Sequence, residues 1–328
     1  EVTPYTVAKA EWSEQEEGNP FATGENAALN VGIDGKMGIT NDLTLDYTLN
    51  PDFGQVEADP SQVNLSAFET YLREKRAFFT EGKSILNFEV NDGGGSMGRD
   101  NLFYSRRIGR SPQVRPDLEE EEYARVPGNT TILGAAKVTG KTRNGLSVGI
   151  MESMTQEEMA QIAYQGEKSR QVVEPFTNYF VGRAQQDINK GKTIVGAMGT
   201  ATNRRLNSKV LQEELHSQAY SAGLDFKHYW KDKTYYVDLR GVSSLVKGSA
   251  SAIQKTQEAS RHFFQRSDAG HLQLDTTRTS LAGIGGSVQV GKSGNGRWRY
   301  MERLTQPWQK GRAAEDSGKP QHKEEKRK

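Results

Sequence analysis

The 328-residue chain contains no cysteine. That excludes a disulfide framework and any metal site built on thiolates. Histidine is scarce: His216, His228, His262, His271 and His322 are scattered without the spacing of metal ligands. An excess of one charge is missing too, because 43 basic side chains stand against 42 acidic ones. Such a balance makes no long-range field that would gather nucleic acid, so no nucleic-acid partner is expected. No stretch approaches the roughly 18 apolar residues of a membrane-crossing helix. The opening residues, Glu1 to Ala10, carry neither the basic start nor the apolar stretch of a signal peptide. An exported chain that begins this way is expected to have lost its leader or more.

What the sequence does have is glycine, at 34 residues, and alternation. Between Ala27 and Thr40 the odd positions are Ala27, Leu29, Val31, Ile33, Gly35, Met37 and Ile39, while Asp34 and Lys36 fall on the other face. A period of two with both charges on one side predicts a two-faced strand. Leu43, Leu45, Tyr47 and Leu49 repeat the pattern, and placing Ile39 opposite Leu43 needs the loop Thr40-Asn41-Asp42. A slip of one residue would turn one apolar set to the wrong side. Further hairpins are predicted around Arg143-Asn144-Gly145, Ile188-Asn189-Lys190-Gly191 and Lys231-Asp232-Lys233-Thr234. Ala282, Ile284, Val288 and Val290 mark the last full strand, and Val2 to Trp12 an additional first one.

The connections separate two folds. Short turns lie near 40–42, 143–145, 188–191, 231–234 and 293–296, and long connectors near 13–26, 51–130, 152–175, 204–216 and 248–278. Strict alternation of short and long is how outer-membrane barrels are built; a soluble sandwich is the competing fold and has no reason to alternate. Low mean hydropathy does not decide against the barrel, because every second strand residue faces a polar lumen. Tyr220 and Trp230 share a face ten residues apart. At about 3.3 Å per residue and a tilt near 40°, they span roughly 25 Å, the height between aromatic girdles. The expected fold is therefore all-β: a partial, antiparallel up-and-down membrane β-barrel of about ten strands and a stub at Arg297 to Tyr300. Residues 1–300 form the barrel domain, with 51–130 as a long loop or lumen insert. Residues 301–328, ending in the charged run Lys323 to Lys328, are expected to be a disordered tail.

The insert has its own signals. Ser66-Ala67-Phe68-Glu69 is a capping box that predicts a short helix over Tyr71 to Arg76. The strings Asn50-Pro51-Asp52-Phe53-Gly54-Gln55-Val56-Glu57-Ala58-Asp59-Pro60 and Asn64-Leu65-Ser66-Ala67-Phe68-Glu69-Thr70 are long and specific. So are Glu74-Lys75-Arg76, Phe78-Phe79, Glu81-Gly82 and Phe103-Tyr104-Ser105-Arg106-Arg107-Ile108-Gly109-Arg110-Ser111-Pro112. In these strings the chain resembles a family of outer-membrane-type proteins of unassigned function. In that family a periplasmic domain similar to carbohydrate-binding family 9 precedes a barrel. Looser similarity runs over residues 1 to 300, with Arg73 and Ala77 standing where the family tends to have proline. The resemblance implies that this chain is a fragment lacking the carbohydrate-binding-like domain and the last part of the barrel. It also implies an outer-membrane location, with membrane lipid, the barrel insertion machinery and glycans as partners.

Candidate chemistry is sparse. Arg106, Arg107 and Arg110 beside Tyr104 could hold a carboxylate, phosphate or sugar acid through forked hydrogen bonds. The plainer reading pairs them with Glu57, Asp59, Glu69 or Glu81 inside the lumen. Asp52, Glu57 and Asp59 offer oxygen ligands for calcium, but their spacing matches no known loop and solvated turn carboxylates explain them as well. Gly191-Lys192-Thr193 and the run Gly291 to Gly296 look like phosphate loops, yet both are turns between strands. No nucleophile–base constellation can be assembled, so no catalytic residue and no cofactor are expected and the chain does not read as an enzyme by itself. Solute passage or glycan handling at the surface is the leading functional expectation. A β-domain of a carbohydrate-active hydrolase and a soluble β-rich binding module are the alternatives.

Overall fold

The computed structural model describes the chain except for residues 13, 52–71, 92–99, 260, 261, 263, 266–272, 295–299, 311–321 and 324–328. Its elements begin with β1 (Val2–Trp12), β2 (Glu25–Gly38), β3 (Leu43–Leu49), α1 (Ala77–Thr80), β4 (Glu89–Asn91) and β5 (Asp100–Asn101). After a 3-10 turn at Ser105–Arg107 come β6 (Tyr123–Arg125), β7 (Ile132–Lys141), β8 (Leu146–Thr155), β9 (Glu158–Tyr164) and β10 (Glu167–Glu174). Then follow β11 (Thr177–Ile188), β12 (Thr193–Arg204), α2 (Lys209–Glu214), β13 (His216–Trp230), β14 (Tyr235–Gly248) and α3 (Ala250–Glu258). The last strands are β15 (Ser280–Lys292), β16 (Tyr300–Lys310) and β17 (His322–Lys323).

The fold is all-β with few helices. Twelve antiparallel strands form one sheet in the order β1-β2-β3-β7-β8-β11-β12-β13-β14-β15-β16-β17. Among the described residues no pairing joins its two ends, so the sheet is open. Small sheets are formed by β10-β9-β6 and by β4-β5.

Turn chemistry sets the register. Met37 pairs with Leu45, and the Ile39 N–H donates to the Leu43 carbonyl at 2.9 Å, which places Ile39 and Leu43 as the alternation requires. Gly145 sits at φ 85° in the loop between β7 and β8, a conformation that only glycine adopts without a Cβ penalty. Trp230 pairs with Tyr235 across the turn from β13 to β14.

Three expectations are corrected. The connector 152–175 is not a loop: β8 runs to Thr155, and β9 and β10 make a hairpin through Gln165 and Gly166, both at positive φ. Two consecutive positive-φ residues are what a tight two-residue hairpin turn requires. The apolar residues this hairpin buries are small, Ala160, Ala163 and Val173, and they do not keep to one face, so they give little hydrophobic signal. The helix expected over 71–76 is absent from its described part, 72–76, and α1 starts only at Ala77. There the Glu74 carboxylate accepts the N–H groups of Lys75 and Arg76, so local side-chain bonding replaces the helical ladder. The capping box itself lies outside the described residues. Finally, the strand pattern continues beyond residue 300: β16 runs from Tyr300 to Lys310 against β15, where a disordered tail was expected to have begun.

The register also sorts side chains onto two faces. The inner face is the one covered by the insert. Phe79, Leu86, Phe88, Val90 and Ile108 of the insert form one core with Ile132, Met151, Val181, Met198 and Val242 of the sheet strands. Burying side chains of this kind stabilises by about 1.5–3 kcal/mol each. The outer face carries the apolar rows and is left open: Leu29 is 72% exposed, Leu224 68% and Ile284 61%.

Candidate functional site

The inner face is where the chain's charges collect, because alternation delivers every second residue of each strand to it. Lys36, Asp46 and Lys137 are cross-strand neighbours on β2, β3 and β7, and each lysine lies 3.6 Å from the Asp46 carboxylate. Across the sheet, Arg183 pairs with Asp225 at 3.1 Å, and Asp238 accepts from Arg240 at 2.9 Å and faces Lys227 at 3.5 Å. Opposite charges on adjacent strands favour this pairing, and the cover above them makes desolvation the opposing cost.

That cost is offset by bonds from the sheet's side chains to the backbone of the insert. Lys137, 1% exposed, donates through Nζ to the carbonyls of Phe78 at 2.5 Å and Glu81 at 2.7 Å, and lies over the Phe78 ring. Arg240 donates to the Glu89 carbonyl, and the Ser287 hydroxyl to that of Val90 at 3.1 Å. Glycines let the insert approach closely. A methyl group added at Gly149 would lie 2.7 Å from Leu86, and one at Gly223 would lie 2.5 Å from Leu102 and 2.7 Å from Phe88. The insert is thus fastened to β7, β14 and β15 by polar bonds and packed on β8 and β13 through positions without side chains.

Within the insert, one buried ion pair organises the rest. Arg76 reaches Glu74 through Nε and Nη2, both at 2.8 Å, and donates to the carbonyls of Ile108 at 2.6 Å and Ser105 at 2.8 Å. The Ser105 hydroxyl donates to Glu74 at 2.6 Å. Burial alone would raise the Glu74 pKa, but the hydrogen bonds and charge of Arg76 and the Ser105 hydroxyl outweigh it and hold the carboxyl below its ordinary value.

The residues singled out from the sequence are divided by the fold. Tyr104 is a fastener: its hydroxyl accepts the Leu72 N–H at 2.8 Å and donates to the Leu72 carbonyl at 3.0 Å. Arg106 and Arg107 lie in the 3-10 turn, half-buried and exposed respectively. Arg110 lies in a different neighbourhood, where Gln113, three residues on, bonds to Glu174, and burial lowers the Arg110 pKa from its ordinary value. Glu81, one of the expected partners of these arginines, is bonded to Lys36 at 2.6 Å. Asp52, Glu57 and Asp59 lie outside the described residues. Sequence reasoning did not single out Lys137, Arg240, Ser287, Arg204 or Tyr179. Inner-face parity was the available signal, since each belongs to the row that carries charge.

Among the described residues no group of three His, Asp or Glu side chains gathers to hold a metal, and no helix is long and apolar enough to cross a membrane. The latter has no bearing on strands. No curated protein matches the chain. A family model does, over residues 1–281, and its description is a domain of unknown function, DUF5916. The match covers the strands from β1 to the start of β15 together with the insert and its fastenings, and the chain belongs to that family.

Proposed function

We propose that the twelve-stranded sheet is the wall of an outer-membrane β-barrel with the described parts of the insert, 72–91 and 100–116, seated in its lumen. In this reading the protein serves solute passage or the handling of glycans at the cell surface. The observation that carries the proposal is the inversion of the two faces: charges are buried beneath the insert while apolar rows lie bare. The bare rows have boundaries. Toward the short turns, Phe226, His228, Trp230 and Tyr235 stack in sequence at 5.9–6.4 Å between centroids, and the ammonium groups of Lys231 and Lys292 lie over Tyr235. Toward the long connectors, the Tyr220 hydroxyl donates to Asn203 at 3.0 Å, and Asn178 bonds to Glu152. Between these limits lie Val195, Ala197, Leu224, Val237, Leu239, Ile284 and Val288, without a charge. An apolar field ending in aromatic and polar girdles suits a bilayer, and exposed patches of this extent mark an interaction surface in any case.

Hydrocarbon tolerates no bare strand edge, so in a membrane the edges of β1 and of β16–β17 must be paired, with each other or with further strands. The glycan part of the reading rests on the resemblance to proteins whose barrel follows a carbohydrate-binding-like domain. Outer-membrane lipid and the barrel insertion machinery are then the partners.

Fractionation after export in a Gram-negative host tests the proposal. The chain should remain with the outer membrane through a urea or carbonate wash and dissolve only in detergent. Release by the wash as a folded species would overturn it. Planar-bilayer conductance with 72–116 present and deleted tests the role of the insert, and conductance should rise on deletion.

A further inference from the structure

Among the described residues, Arg110 and Arg204 each keep a buried Nε without a hydrogen-bond partner. Arg110 leaves the 3-10 turn with its backbone fixed, since its carbonyl accepts the Thr130 N–H at 2.9 Å and the Thr130 hydroxyl at 2.7 Å. Its Nε is fully buried and has no hydrogen-bond partner. Arg204 ends β12 on the inner face, in register with Thr177 of β11. It donates through Nη1 to the His216 carbonyl at 3.0 Å, while its Nε is likewise buried and unpartnered. The fold brings them to one neighbourhood through Glu174: Gln113, three residues after Arg110, bonds to Glu174, and Glu174 stands three residues before Thr177, the cross-strand partner of Arg204.

The carboxylate that would be the natural partner is otherwise engaged. Glu174 is buried, and its two oxygens accept the backbone N–H and the side-chain amide of Gln113, each at 2.8 Å. Among the described residues neither Arg110 nor Arg204 forms an ion pair with a carboxylate. A buried N–H left without an acceptor costs about 1–3 kcal/mol, more on a charged group, so two in one neighbourhood call for an acceptor beyond the described residues.

We propose that Arg110 and Arg204, with Tyr179 beside them, form a binding site for an oxyanion entering from the long-connector end of the inner face. Guanidinium forks match the paired oxygens of a carboxylate or a phosphate. Tyr179 lies on the same face of β11 as Thr177, two residues along, which places its ring beside Arg204. The occupant is an oxyanion group carried on a small molecule, presented as the carboxylate of an acidic sugar or as a phosphate. Glu174 sets the limit on charge, because it keeps the site from being wholly cationic. The site is independent of what covers the outer face, so it stands or falls separately from the membrane reading.

Calorimetric titration of the full chain in detergent with glucuronate, inorganic phosphate and glucose tests the proposal. At least one anion should bind and glucose should not, and which anion binds identifies the source of the oxyanion. Arg204→Gln and Arg110→Gln should each weaken binding about ten-fold or more, the equivalent of ~1.4 kcal/mol. Arg106→Gln, outside the site, should leave binding unchanged. Should a variant misfold, the unmodified chain still decides, because the binding anion must raise its melting temperature where glucose does not. Absence of binding by either anion to the folded chain overturns the proposal, and so does an equal loss with Arg106→Gln.

Discussion

On β13, adjacent residues live in opposite surroundings. Leu224 is largely exposed between Ala197 and Gly241, while Gly223, one position earlier, lies against Leu102 and Phe88. The next residue, Asp225, turns inward to Arg183. A water-soluble sheet puts its leucines inside and its aspartates outside. Here the assignment is reversed along the sheet, from Met37 and Lys36 on β2 to Val288 and Ser287 on β15. The teaching of the comparison is that most of the inner face is satisfied by the protein itself, through Lys137, Arg240 and the Glu74–Arg76 pair, with the Arg110 and Arg204 neighbourhood as an exception. The outer face has no such partner among the described residues, and so its stability depends on the solvent it meets.

The largest way to disturb the comparison is from the inside. Arg76→Ala leaves Glu74 buried and uncompensated and should destabilise the insert by about 3–5 kcal/mol. Protease sensitivity rising in 72–110, with the strands still protected, is the expected readout; unchanged protection would mean that the pair does not organise the insert. Acid should act on the same pair. The Glu74 carboxyl is held below its ordinary pKa, so its contribution is complete above the ordinary carboxylate range. It is lost as the pH falls through the depressed value, and Glu74→Gln should flatten that part of a stability-against-pH curve.

A smaller effect comes from the outside, and its size depends on the solvent. Leu224→Arg on a face that meets hydrocarbon should cost about 2–4 kcal/mol near the middle of the bilayer. On a face that meets water the same change should stay within about 0.5 kcal/mol. Denaturant titration of the chain folded in lipid vesicles separates the two. The smallest expected effect sharpens the contrast between neighbours. Gly223→Val forces a side chain into Leu102 and Phe88 and should cost about 1–3 kcal/mol. Ala222→Val on the outer row should cost almost nothing, and equal costs would mean that the two faces are equally packed.

Much of the large sheet was legible in the sequence. The turns near Thr40-Asn41-Asp42, at Arg143-Asn144-Gly145 and at Lys231 to Thr234 lie between the strands expected on either side of them. The sorting of Asp34, Lys36, Asp46, Asp225 and Lys227 onto one face follows from a period of two and nothing else. What stayed hidden depends on contacts distant in sequence. Lys137 is an ordinary polar-row lysine until the Phe78 and Glu81 carbonyls arrive from 59 and 56 residues away. Tyr104 looked like part of a binding group and is tied to Leu72. Arg110 was singled out, but its neighbour Arg204 stands 94 positions later at a strand end, where nothing local marks it. The hairpin of β9 and β10 escaped because the apolar residues it buries, Ala160, Ala163 and Val173, are small and break the period of two.

The absence of cysteine opens the most direct test of the inverted faces, since a single reactive thiol can be placed anywhere on β13. A fluorophore attached in turn at positions 222 to 227 in lipid vesicles should be quenched by brominated lipid tails at 222, 224 and 226. It should escape quenching at 223, 225 and 227. Uniform quenching by a water-soluble quencher at the even positions, with no response to brominated lipid, would contradict the account.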